Sequence, residues 1–163
     1  VTFPTDVDKL PSFDDYSMKG RTYKYMTDNV FYPFGYGLSY SRVVYSGASA
    51  VRRGDDVVVE VGLKNEGKAT VNETVQIYAS VPGAGITAPL SQLVAFAREA
   101  VLPGESKRVR IDVPIDRFMT VQDDGSSVLL PGKYAVSVGG AAPSRRSVEL
   151  GVSMAQTELT IDP

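Results

Sequence analysis

From residue 43 onward, apolar and polar residues alternate. Val57, Val59, Val61 and Leu63 fall on one face of an extended segment, as do Val75, Ile77, Ala79 and Val81. Val109, Ile111 and Val113 alternate strictly with Arg108, Arg110 and Asp112; Tyr134, Val136 and Val138 form another set, and Val148, Leu150 and Val152 a last one. A period of two is what a strand buried on one face requires. Turn-forming residues separate the sets: Gly54-Asp55-Asp56, Asn65-Glu66-Gly67, Pro82-Gly83, Pro103-Gly104, Asp124-Gly125, Pro131-Gly132 and Gly139-Gly140.

Many short strands with turns between them and no strongly periodic helix predict an all-β fold, an antiparallel β-sandwich of immunoglobulin or fibronectin III-like type. Tyr134, just after the Pro131-Gly132 turn and opening a strand, is placed for a tyrosine corner. The stretch from Pro89 to Val101 resists this pattern. Leu90, Leu93, Val94, Ala97 and Val101 match helical spacing, and its Ala, Gln, Arg and Glu residues favour a helix locally.

The first 41 residues follow neither period. They carry Pro4, Pro11 and Pro33, with Gly20, Gly35 and Gly37, and four basic residues against five Asp. Of the chain's 15 aromatic residues, eleven lie before residue 46. Disordered tails are poor in aromatics, so this extended, aromatic-rich N-terminal segment reads as one made to lie against a neighbouring body.

Composition narrows the chemistry. The 163 residues contain no His and no Cys, which removes Ser-His-Asp and Cys-His catalysis, disulfides and thiolate metal sites. A formal net charge of −2 gives no footprint for nucleic acid. The apolar run Leu93 to Ala97 falls far short of the roughly 18 residues of a membrane span. The opening Val-Thr-Phe-Pro has no signal-peptide character and reads like the inside of a longer reading frame.

Three constellations could carry function. Gly83-Ala84-Gly85-Ile86-Thr87-Ala88 matches a dinucleotide fingerprint, but Pro82 and Pro89 bracket it and no second βαβ unit follows. It is read as a long sandwich loop. Asp14-Asp15, Asp55-Asp56 and Asp123-Asp124 could serve acid/base chemistry if held about 5 to 10 Å apart; adjacent carboxylates in turns more often accept backbone hydrogen bonds. Arg52-Arg53 and Arg145-Arg146 read as solvated strand ends, and Asn72-Glu73-Thr74 is a formal glycosylation sequon.

The run Asp14-Asp15-Tyr16-Ser17-Met18-Lys19-Gly20-Arg21-Thr22-Tyr23-Lys24-Tyr25, then Phe31-Tyr32-Pro33-Phe34-Gly35-Tyr36-Gly37-Leu38-Ser39-Tyr40, resembles the end of the catalytic region of family 3 glycoside hydrolases. Asn65-Glu66-Gly67, Glu73 to Tyr78, Leu102-Pro103-Gly104-Glu105-Ser106 and Pro131 to Gly140 resemble the fibronectin III-like domain that ends many of these retaining exo-β-glycosidases. The family's counterpart of residues 88–96 is a strand, so the resemblance implies strand where local spacing implies helix. It implies three regions: residues 1–41 as the end of an α/β domain and linker, 42–153 as the sandwich, and 154–163 as a C-terminal tail.

In the family the nucleophilic Asp and the acid/base Glu come from preceding domains, and neither motif is in this chain. The resemblance therefore implies a portion with no catalytic, metal or cofactor residues of its own, with the catalytic domains of the same enzyme as partner; the residues leave the compartment open, with a periplasmic or secreted setting slightly favoured. Tyr23, Tyr25, Tyr32, Phe34, Tyr36 and Tyr40 are expected at the interdomain contact. The alternative is a free-standing carbohydrate-binding or adhesion module, with oligo- or polysaccharide as partner.

Overall fold

The computed structural model describes residues 2–28, 30–80, 89–122 and 124–162. In chain order the N-terminal segment gives β1 (Phe3–Pro4), the short helix α1 (Thr22–Tyr25) and β2 (Val30–Tyr32). The body follows as β3 (Val43–Arg53), β4 (Asp56–Asn65), β5 (Val71–Ala79), β6 (Gln92–Val101) and β7 (Ser106–Pro114), then β8 (Thr120–Val121), β9 (Ser127–Val128), β10 (Gly132–Gly139), α2 (Arg145–Glu149) and β11 (Met154–Ile161). A four-stranded sheet in the order β11-β10-β5-β6 faces a three-stranded sheet β3-β4-β7, and every pairing is antiparallel.

The alternating sets are the inward residues. Val57, Val59, Val61 and Leu63 of β4 meet Val75 and Ile77 of β5, Tyr134, Val136 and Val138 of β10, and Leu159 and Ile161 of β11 in one core cluster. Tyr134 is fully buried, and its Oη donates to the Leu130 carbonyl at 2.7 Å, closing the tyrosine corner. Phe118, on the 3₁₀ turn Ile115–Phe118, packs edge-on against it at 6.1 Å. Asn65 is buried at the end of β4, where Nδ2 donates to the Ala69 and Val101 carbonyls and Oδ1 accepts from the Gly67 amide. Gly67 is required there because a Cβ would overlap the Ser41 side chain.

Two expectations change at the chain's end, and one ambiguity closes. Gln92–Val101 is a strand, as the family pattern implied: pairing along the whole of β5 outweighs its helical propensity. Val148 and Leu150, read with Val152 as a strand face, instead lie on and just after α2, and Val148 is exposed. Ser144 caps that helix through its Oγ, which accepts from the Ser147 amide, and Ser147 Oγ donates to the Ala142 carbonyl at 2.6 Å. The closing strand is β11, in the stretch read as a tail. Ala155, Leu159 and Ile161 point inward there, alternating with Gln156, Glu158 and Thr160.

Candidate functional site

The acidic pairs serve turns. Asp15 Oδ1 accepts from the Ser17 amide at 2.8 Å, the main cause that holds its carboxyl below the usual range. Asp124 Oδ1 accepts from both the Ser126 hydroxyl and its amide, with the same consequence. The Asp55 carbonyl accepts from the Ile115 amide, and Asp56 opens β4 opposite Arg53 and Pro114. Asp123 and the Gly83 to Ala88 loop lie outside the described residues. Arg145 and Arg146, expected at a strand end, lie on α2 and both grip Glu149, holding its carboxyl low.

The informative surface is the outer face of the four-stranded sheet. Along β5 the outward residues are Asn72, Thr74, Gln76 and Tyr78, where solvent would be expected, yet Gln76 is 6% and Tyr78 only 1% exposed. Ser137 of β10 is buried on the same face. The N-terminal segment covers them as a third layer. Tyr23 meets Tyr78 edge-on at 5.8 Å and stacks on Phe34 at 4.6 Å. Backbone bonds tie the layer down: the Leu90 amide donates to the Lys24 carbonyl, Ala142 to Phe34, and Leu93 to Tyr23 Oη at 3.1 Å.

Gln76 is the polar hub beneath this layer. Its Nε2 donates to the Gly140 carbonyl and its Oε1 accepts from Tyr78 Oη, each at 2.6 Å. Burial pushes the Tyr78 phenol far above its ordinary range, so it stays a donor. Gly35 passes directly over the hub with φ +81°, and a Cβ there would overlap the Gln76 amide. A small residue in the left-handed region is thus demanded twice at this position.

The six aromatics expected at a contact therefore divide. Tyr23 and Phe34 face this chain's own sandwich. Tyr32 and Tyr36 stack on each other at 5.4 Å, with Phe3 and Phe31 edge-on to Tyr32, while Tyr25 is half-buried on α1. Tyr40 is 98% exposed beside the equally open Leu38. Phe13 and Tyr16 are as exposed, on a loop that Arg21 organises: its guanidinium donates to the carbonyls of Pro11, Ser12, Asp15 and Ser17. Sequence reasoning missed Arg21, Gln76 and Tyr78. The signal available for the last two was that Gln76 and Tyr78 occupy the polar-face positions of a strand whose other face is wholly apolar.

Next to the covered patch lies a groove of about 670 Å³, walled by residues 35–43, the start of β5 and residues 150–153. Glu73 lines it, its Oε1 accepting from Tyr45 Oη at 2.7 Å. Burial, then the Glu73 charge, push the Tyr45 phenol far up, which keeps it protonated as a donor.

The fibronectin type III-like domain family matches residues 73–142. A xylan 1,4-β-xylosidase of Xylanibacter ruminicola is 29% identical over 94% of this chain and 18% of its own length. The structure of β-glucosidase 3B from Thermotoga neapolitana in complex with α-D-glucose superposes with a TM-score of 0.70 and 26% identity, covering 82% of this chain and 18% of that one. The Bifidobacterium adolescentis GH3 β-glucosidase shares the fold over 97% of this chain and 25% of its own, with a TM-score of 0.78 and 23% identity. The chain thus spans about a fifth of the length of the curated relatives it matches.

Proposed function

Since this chain belongs to the family 3 glycoside hydrolases as their fibronectin type III-like, C-terminal portion, we propose that it is a non-catalytic module that packs on and stabilises the catalytic domains of the same enzyme. The parent reaction in this reading is hydrolysis of terminal β-glucosyl or β-xylosyl residues. The observation that carries it is the division of the N-terminal aromatics: one set cements the segment to the sandwich, and another is left bare. Phe13, Tyr16, Leu38 and Tyr40 are each more than nine-tenths exposed, and bare aromatic side chains concentrated in one short segment fit a surface that a partner domain covers.

The contact is made by this outward set, together with the Tyr32 and Tyr36 stack, and Tyr25 lies at its edge. The inward pair, Tyr23 and Phe34, fixes how the rest are presented. Residues 1–41 then act as linker and adaptor, and the sandwich runs from residue 42 through β11.

Incubating the 163-residue chain with aryl β-glucoside and aryl β-xyloside tests the catalytic half of this reading. No chromophore should be released. Turnover that disappears when Asp55 and Asp56 are changed to Asn would overturn it. The packing half is tested in the whole enzyme, where Tyr16→Ser and Tyr40→Ser should lower the melting temperature while leaving that of this chain alone unchanged. Equal effects in both settings would contradict a docking role.

A further inference from the structure

We propose that residues 11–21 form an anchor whose shape is set before docking, with Arg21 as its positioning residue, and that Phe13 and Tyr16 carry it into an apolar socket on the catalytic domains. This rests on the packing role proposed above and names the part of the contact that is preformed.

Bare side chains on a tied backbone are the observation behind it. Phe13 and Tyr16 are each 92% exposed, whereas the chain that carries them is held from within the loop. The Arg21 guanidinium donates through Nε to the Ser17 carbonyl at 3.2 Å, and through Nη2 to those of Asp15 at 2.8 Å, Ser12 at 2.9 Å and Pro11 at 3.5 Å. Every hydrogen bond the guanidinium makes among the described residues goes to a backbone carbonyl, so its rigid planar fork sets the shape of the loop. The loop adds closures of its own. The Asp15 amide donates to the Ser12 carbonyl and the Arg21 amide to the Met18 carbonyl, each at 3.0 Å, and the Ser17 amide to Asp15 Oδ1 at 2.8 Å.

The backbone beside the arginine is strained. Gly20 has φ +68° and Thr22 φ +57°, and Thr22 is the one non-glycine residue in the left-handed region among those described. A β-branched side chain opposes that conformation; such outliers persist where surrounding contacts over-determine them, and they cluster at functional sites. With left-handed residues on both sides of Arg21, the chain turns so that this side chain reaches back to residues 11–17. A ring presented on a fixed backbone loses little freedom when it docks, which is how a few aromatic anchors come to dominate a contact. The occupant follows from length: the chain spans about a fifth of its curated relatives, so the rest of the enzyme supplies the facing surface. Its socket is apolar, with one acceptor for the Tyr16 hydroxyl.

Hydrogen exchange of the ¹⁵N-labelled 163-residue chain tests whether the loop is preformed. The Asp15, Ser17 and Arg21 amides should exchange about tenfold or more slower than open-coil amides. Arg21→Lys should remove that protection while Val136 and Val138 of β10 keep theirs. A double-mutant cycle in the whole enzyme tests the docking. Phe13→Ser with Tyr16→Ser should lower its melting temperature; Arg21→Lys alone should lower it too, and added to that pair should lower it no further. A merely structural role for Arg21 would add its loss in full. Open-coil exchange in the chain alone, full additivity, or a loss from the ring substitutions with none from Arg21→Lys would each overturn the anchor and leave the packing role standing. No loss from the ring substitutions would overturn both.

Discussion

The sandwich has two outer faces, and they are built differently. On the three-stranded sheet the outward residues include Glu60, Arg108, Arg110 and Asp112, joined in exposed ion pairs such as Arg108 to Glu60 at 3.3 Å and Arg110 to Asp112 at 3.0 Å. Pairs of this kind contribute about 0 to 1 kcal/mol and leave the face open to water. On the four-stranded sheet the outward residues include Tyr78, Gln76 and Ser137, all buried beneath Tyr23, Phe34 and the Gly35 backbone. The same period-two architecture thus gives a wetted surface on one side and a third layer on the other. The difference lies in what the neighbouring segment brings, and it makes the N-terminal residues structural members of the domain.

The largest expected effect separates the two faces directly. Tyr78→Ala, at an outward position that is only 1% exposed, should destabilise by about 3 to 5 kcal/mol, read as a fall in the denaturant midpoint. Gly35→Ala comes next: its left-handed φ costs about 1 to 2 kcal/mol, and the overlap with Gln76 adds to that. It should detach the layer and sensitise residues 22–36 to limited proteolysis. Gln76→Leu should cost about 1 to 3 kcal/mol by orphaning the Gly140 carbonyl and the Tyr78 hydroxyl.

A pH series sharpens the contrast further. Tyr45 and Tyr78 have phenols whose pKa is raised in the folded state by burial, whereas in the unfolded chain they ionise near pH 10. Their contribution is fully present below about pH 10 and is lost as the pH rises above it. Thermal melts across that range should show stability falling, and Tyr78→Phe should reduce the slope. The smallest effect belongs to the wetted face: Arg110→Ala should leave stability within about 0.5 kcal/mol of the parent. A loss as large as that of Tyr78→Ala would erase the distinction between the faces.

Much of the sandwich is legible in the residues themselves. Alternation names the inward positions of β4, β5, β7 and β10, and Pro131-Gly132-Lys133-Tyr134 announces the tyrosine corner. β6 needed the family pattern, because five apolar residues at helical spacing mislead where strand pairing decides. β11 was missed although Ala155, Leu159 and Ile161 alternate with polar residues; the preceding Val148, Leu150 and Val152 offered a competing alternation that Ser144 and Ser147 convert into a capped helix. The site was legible only as a concentration of aromatics. Nothing local tells Tyr23 from Tyr40, since one is half-covered and the other bare through contacts with residues some 70 positions away, as in the bond from Leu93 to Tyr23. Gln76 and Tyr78 sit on the polar phase of their strand, so periodicity assigns them to solvent.

The central claim is that the aromatic segment and the sandwich form one cooperative unit. Native-state hydrogen exchange of the Leu90, Leu93 and Ala142 amides tests it, because their acceptors are Lys24, Tyr23 and Phe34 of the segment. These amides should exchange with the same opening free energy as Val136 and Val138 in the core strand β10. Exchange at the rate of surface amides, with β10 still fully protected, would contradict the claim and reduce the segment to a loosely attached tail.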